Sequence, residues 1–299
     1  MLDGISIVVT TWNRTALLER ALRSIQKAKK EYLIEVIVVD DFSDLPPDVS
    51  KFQDLNIRTI RHSENKGGGI ARNTGIQAAK FDWVAVLDDD DEFLPMAFDV
   101  FFRYLKEEAY QKEAVLFFSY IQYAKKRSTF RFFLKEYVNK PAEDFFCLIH
   151  KSIWMKEKYS YPNSQIGGTS LLWMKLALLH GIVFIDEAVA MINYDADLRM
   201  CSTNYQMRYP GDYMNFHRAE IEFISPYQRE FRNFYRKKIL GYAIFSVFSY
   251  RKEEARKFLK TLKYCKVTMC LAYVSTFFPV CLLRIFFRRY RKLVSGFAN

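Results

Sequence analysis

The chain is expected to be an α/β protein built on a mostly parallel sheet flanked by helices, followed by a helical region of different composition. Three observations predict this class. Short β-branched runs alternate with amphipathic stretches from Ile5 to Leu87, and each run ends in polar residues. With 299 residues, 50% hydrophobic and 26% charged, the chain can bury a full core and is not disordered.

The elements follow in order. Residues 5–10 (ISIVVT) form a strand that ends in Thr11, Trp12, Asn13 and Arg14. Leu17, Leu18, Ala21, Leu22 and Ile25 then mark one face of a helix. Residues 34–39 are a second strand ending in Asp40 and Asp41, and 57–62 a third. Residues 70–79 form a helix leading into strand 83–87, directly followed by Asp88, Asp89, Asp90 and Asp91. Ligands of such sheets bind beyond the carboxyl ends of the strands, which gathers Thr10, Asn13, Asp40, Asp41 and the aspartate run on one rim. Past Pro95 the alternation weakens into a helix near 96–108, an aromatic strand near 114–123 and a basic, aromatic connection around 125–135. A helix over 170–180 and a short strand over 183–185 close this part.

Composition divides the chain into residues 1–225 and residues 226–299. The second part holds 17 basic and 3 acidic residues, a net +14, which leaves the first at −3. Only the second part therefore attracts an anionic partner. Residues 251–266 alternate basic and apolar residues at helical spacing, and an uncharged run over 267–283 contains Pro279. At 17 residues this run reaches only the lower limit of a spanning helix, so an element lying on an anionic membrane surface is expected rather than a span, with a soluble helical subdomain bearing a solvated basic face as the alternative. No nucleic-acid motif accompanies the charge. The aromatic content of 17% calls for large apolar interfaces or a bilayer. Five cysteines without a C-x-x-C pair indicate neither a disulfide framework nor zinc, and the N-terminus lacks the pattern of a secretion signal, so a reducing compartment is expected.

Four adjacent carboxylates repel one another unless a cation offsets them, and hard oxygen ligands suit Mg²⁺ or Mn²⁺ carrying substrate phosphate. The competing reading is a solvated acidic loop capping the next helix. Lys66, Gly67, Gly68 and Gly69 open a helix bearing Arg72 and Asn73, a combination of backbone N–H groups and a guanidinium that suits phosphate. It has neither the dinucleotide-binding nor the P-loop spacing. Asp40 and Asp41 could accept from a base or ribose, with an Asx cap as the alternative for Asp41.

The ordered blocks ISIVVTTWNR, VIVVDDFS, ENKGGGIARNTGI and WVAVLDDDDEFLP resemble the N-terminal half of family-2 glycosyltransferases of the Rossmann-like GT-A fold. The resemblance implies a hexosyltransferase-type enzyme of bacterial surface-polysaccharide biosynthesis using a nucleotide-sugar donor, UDP-linked by expectation. Thr10, Thr11, Asn13, Asp40, Gly67, Arg72, Asp88 and Asp89 would face the donor. Asp88 and Asp90 match the D-x-D pair that holds Mn²⁺ or Mg²⁺. A glycan or lipid-linked acceptor, and a peripheral location on the cytoplasmic face of the inner membrane, fit the basic tail. The family's E-D pair ahead of the L-W-x-R-L-A helix is replaced here by Gly167, Gly168, Thr169 and Ser170, so Thr169, which is no base, stands at the expected base position. Glu143, Asp144, Asp195 and Asp197 are the substitute candidates. A catalytically silent nucleotide-sugar binder or membrane scaffold is the alternative from another class, and a nucleotidyltransferase a third.

Overall fold

A computed structural model describes residues 4–121, 129–139, 145–163, 169–193, 203–262, 273–274 and 276–277. The chain falls into two compact units, residues 1–197 and 198–299.

The first unit is a nine-stranded mixed sheet with helices against it. In chain order it contains β1 (Ile5–Thr11), α1 (Thr15–Ala28), β2 (Ile34–Asp40), β3 (Ile57–Arg61), α2 (Gly68–Ala78), β4 (Trp83–Asp88), β5 (Asp91–Phe93) and α3 (Ala97–Leu105). There follow β6 (Val115–Tyr120), β7 (Phe130–Phe132), α4 (Leu134–Asn139), β8 (Phe145–His150), α5 (Lys151–Lys156), α6 (Ser170–Leu179) and β9 (Ile182–Ile192). The strand order is β3-β2-β1-β4-β8-β6-β9-β5, with β7 also paired to β9. The first four strands are parallel. This is the part the strand–helix alternation predicts. Beyond β4 the pairing turns antiparallel at β8 and β5, and only β6–β9 remains parallel. The alternation carries no signal for β8 or β5, and β9 runs well past the short strand expected at 183–185.

Strands buried on both faces need apolar residues without alternation, and β1 and β2 supply them almost throughout. Ile5, Ile7 and Val9 pack with Leu18, Leu22 and Ile25 of α1, while Val8 faces α2. Two polar ties lie inside this apolar packing. The Ser6 hydroxyl donates to Glu35 (2.6 Å) and accepts from the Phe81 N–H (3.0 Å), fixing the turn into β4. Ser24 of α1 accepts from the Phe93 N–H (3.0 Å), fixing β5. Part of the aromatic surplus is located here: Phe93, Phe98, Phe101, Phe118 and Phe146 meet edge-to-face or stacked at 5.1–5.9 Å.

The second unit contains α7 (Thr203–Arg208), α8 (Pro210–Ile224), α9 (Arg232–Phe248) and α10 (Lys252–Thr261). Met214, Ile221 and Ile224 of α8 are buried, as are Tyr235, Ile239, Tyr242 and Phe245 of α9 and Leu259 of α10. Within it, Glu220 is fully buried and accepts from His217 Nδ1 (3.0 Å) and Lys238 Nζ (2.6 Å). Most of the uncharged run 267–283 lies outside the described residues, and no helix among those described is long and apolar enough to cross a membrane.

Two predictions follow from this packing. A Cβ on Gly75 of α2 would stand 2.2 Å from Val8 Cγ1 of β1, so Gly75→Ala should lose about 1–3 kcal/mol of stability by overpacking in denaturant titration. Burial pushes the His217 imidazole below its ordinary value of 6.5. Burial alone would raise the Glu220 carboxyl, but its bonds from His217 and Lys238 outweigh this and hold it below its usual 4.5. Both groups bind fewer protons folded than unfolded in acid, so the stability they contribute is present at neutral pH and lost as pH falls below 6.5 and then 4.5. Thermal melts of wild type and Glu220→Gln should converge as pH falls from about 5 to about 3, because only the wild type loses the Glu220 contribution there.

Candidate functional site

Register brings the rim residues together. Thr10 of β1 lies beside Val39 on one side and Asp88 on the other, and Thr11 lies beside Asp40. The ends of β1, β2 and β4 therefore form one edge, as the topology of a parallel sheet requires.

The aspartate run does not form a solvated loop. Asp88 ends β4 with a side chain 42% exposed, whereas Asp89, Asp90 and Asp91 are buried and Asp91 already belongs to β5. Antiparallel pairing of β5 with β9, Asp91 opposite Ile192, draws the run inward. Cations and donors from several elements meet it. Arg14 reaches Asp89 (3.1 Å) and Asp90 (3.6 Å), and the Thr11 hydroxyl donates to Asp89 (2.8 Å). Arg72 of α2 pairs with Asp88. Arg20 and Asn193 both donate to the Asp90 carbonyl, at 3.0 and 3.1 Å, and Tyr120 donates to Asp91 (3.1 Å).

Burial pushes the Asp89 carboxyl up to about 7 despite Arg14 and the Thr11 hydroxyl. For Arg14 and Arg72, burial favours the neutral form but is outweighed by the carboxylates beside them, so both guanidinium groups are held above their usual range. One carboxylate oxygen from each of Asp88, Asp90 and Asp91 lies within 4.8 Å of the others. Three hard oxygen donors so gathered fit Mg²⁺ or Mn²⁺. The sequence reading singles out Asp88 and Asp90; Asp91 joins them because β5 turns its carboxylate back to the same point.

The other expected residues divide by role. Asp40 is fully buried, accepts from the Ser43 N–H (2.9 Å) and pairs with Arg61, its register partner on β3. Asp41 accepts from the N–H groups of Lys66 (2.9 Å) and Gly67 (2.7 Å) and bonds His62 Nδ1 (2.7 Å). Asp41 thus holds the glycine-rich loop, and the Gly67 N–H expected to face phosphate is committed to it. Asn13, at φ 54, accepts from the Asp44 N–H (2.7 Å) and donates its own N–H to Ser43 (2.8 Å), joining the loops after β1 and β2. Trp12, beside it, is 37% exposed. Trp173 packs at 90° against Phe117, 4.9 Å away, as a core residue would. Thr169 precedes α6 and its carbonyl accepts the Trp173 N–H (3.1 Å). Glu143, Asp144, Asp195 and Asp197 lie outside the described residues.

Arg14, Arg20 and Arg61 are the site residues that motif spacing misses. Arg61 becomes visible only once β3 is in register with β2, and Arg14 once the Asp89 carboxylate is known to be buried.

Residues 6–159, half of the chain, match the model of the family described as Glycosyl transferase family 2, and the chain belongs to that family. It is 42% identical to the hyaluronan synthase of Pasteurella multocida over 91 residues, covering 29% of this chain and 9% of that protein. It is 40% identical to the succinoglycan biosynthesis protein ExoO of Rhizobium meliloti over 93 residues, 30% of this chain and 26% of that one. The matched segment spans well under two thirds of both relatives. Among solved structures, S. aureus TarS 1-349 superposes with a TM-score of 0.59 at 15% identity, covering 97% of this chain and 91% of that chain. The same protein solved in complex with UDP-GlcNAc gives 0.54 at 16%, covering 84% and 88%. These likenesses establish the fold, which is of the GT-A type.

Arg14→Met leaves Asp89 buried opposite an apolar side chain and should cost about 2 kcal/mol, below the full value of a buried pair because Arg14 is partly exposed. A double-mutant cycle with Asp89→Asn, read by denaturant unfolding, should return a coupling of about 1 kcal/mol.

Proposed function

We propose that the chain transfers a sugar from a nucleoside-diphosphate sugar, UDP-linked in the first instance, to a glycan or lipid-linked acceptor during surface-polysaccharide assembly, with inversion at the anomeric carbon. The observation that carries this reading is the trio Asp88, Asp90 and Asp91 at the end of β4, bordered by Arg14 and Arg72. The relatives named for polysaccharide synthesis and the UDP-GlcNAc complex of TarS support it.

A divalent ion held by Asp88 and Asp90, with Asp91 beside them, would offset the charge that develops on the departing diphosphate. Arg72 would add a fixed positive charge, and its burial supports little reorganisation when the leaving group forms. The end of β1, with Thr10 and Thr11, and Asn13 in the loop after it would line the nucleotide, with Asp40 on the base side. Deprotonation of the acceptor needs a carboxylate, which Thr169 does not provide; Glu143, Asp144, Asp195 and Asp197 remain the candidates. The basic region 226–299 would hold the enzyme peripherally on an anionic membrane at the cytoplasmic face, near such an acceptor.

The threonine at position 169 favours one second reading: a nucleotide-sugar binder that no longer transfers. Calorimetric titration with UDP, GDP and CDP, each with Mn²⁺ and with EDTA, tests the shared part of both. Asp90→Ala should abolish metal-dependent binding in a chain with unchanged circular dichroism, and equal affinity with and without EDTA would refute the metal assignment. Donor turnover then separates transferase from silent binder. For the membrane reading, the full chain should sediment with vesicles containing anionic lipid at low salt and be released as salt rises, and should ignore zwitterionic vesicles.

A further inference from the structure

Arg72 touches two groups of opposite kinds. One is the Asp88 carboxylate; the other is the ring of Tyr161, whose centroid lies 5.5 Å from the guanidinium carbon. Tyr161 stands in the segment after α5, far along the chain from α2, yet it is fixed there with unusual completeness. Asn73, the neighbour of Arg72 on α2, donates from Nδ2 to the Tyr161 carbonyl (2.9 Å) and accepts the Tyr161 N–H on Oδ1 (2.8 Å). One amide side chain thus satisfies both backbone groups of one residue 88 positions away. Gly69, one turn earlier on the same helix, admits the next residue: a Cβ there would stand 2.2 Å from the Pro162 carbonyl oxygen. The Tyr161 ring is wedged between Trp154 (5.9 Å) and Trp173 (6.0 Å), and its hydroxyl meets Cys147 Sγ at 3.3 Å.

Filling this space would require only a ring. The reciprocal bonds from Asn73 do something further, because they fix the backbone that carries the ring and so fix the ring's height under the guanidinium. A cation lying on an aromatic face is held without losing any of its five donors to that contact, and Arg72 keeps donors for oxygen ligands while its plane is set.

We propose that Asn73 and Tyr161 are positioning residues for Arg72, clasping the segment after α5 onto α2 so that the guanidinium is pre-set for the diphosphate of the donor. The inference rests on the donor reading above and adds to it the residues that aim its cation. It places the diphosphate contact under the control of the stretch of chain that leads toward Thr169. A change there would be felt as a change in how the leaving group is held.

The test compares UDP with uridine on the full chain in Mn²⁺, by calorimetry, for wild type, Tyr161→Phe, Tyr161→Leu and Asn73→Ala. Uridine lacks the diphosphate and serves as the internal control; should GDP or CDP be the ligand that binds, it and its nucleoside take their places. Tyr161→Leu and Asn73→Ala should weaken UDP about tenfold, the size of a lost cation–π contact, and leave uridine within about twofold. Tyr161→Phe, which keeps the ring, should bind both like wild type. Melting curves establish that each variant is folded, and if Tyr161→Leu is not, Asn73→Ala carries the comparison. Equal losses for UDP and uridine, or UDP binding unchanged in a folded variant, would overturn the positioning role while leaving the donor reading intact. A wild-type chain that bound none of the three diphosphates would overturn the donor reading and the clasp's purpose with it.

Discussion

Four carboxylates in succession at the end of β4 set the terms for everything around them. Unscreened, side chains this close would ionise only against strong mutual repulsion, and three of the four are withdrawn from water, which raises the cost of their charge again. The surroundings meet that cost from several directions at once. Arg14 arrives from the loop after β1, Arg72 from α2, Thr11 from β1 and Tyr120 from β6. Because each contact comes from a different element, the position of the carboxylates specifies much of the arrangement of the sheet and its helices.

That arrangement is made rigid by close approach on the inner side. Gly75 lets α2 settle directly on Val8, which brings Arg72 to the rim at the right height, and the Ser6–Glu35 pair anchors the start of β4 beneath it. At the rim itself the backbone accepts less favourable geometry: Asn13 and Phe42 both have positive φ, and the hydrogen bonds joining the two loops hold them there. The apolar sheet thus carries the stability, and the polar edge takes up the conformational cost.

The parallel half of the sheet, its rim and the acidic run were readable because each is encoded locally, in β-branched runs and in residue types crowded within a few positions. The antiparallel half was not. β8 is a six-residue apolar stretch with no alternation to distinguish it, and β5 is written in the same letters as the acidic loop it replaces. Pairings that join distant segments, such as Arg61 with Asp40 or Asn73 with Tyr161, become legible only when register and packing are known. Asp41 shows the opposite limit: its residue type allowed either a ligand contact or an Asx cap on the turn after it, whereas its carboxylate holds the distant Lys66 and Gly67 N–H groups. The charge of the last 74 residues is plain in the sequence, whereas most of the uncharged run it surrounds lies outside the described residues.

The antiparallel seam between β5 and β9 ties the acidic run to the far edge of the sheet, although β4, its immediate predecessor, belongs to the parallel half. The cluster therefore draws on both the parallel and the antiparallel half of the sheet. β5 is three residues long and stands at the end of the strand order, so its short ladder belongs with the segments that open locally at low cost. Amide hydrogen exchange at residues 91–93 consequently reports on the integrity of the cluster itself, and a ligand that draws its carboxylates together would slow that exchange well before it altered the global melt.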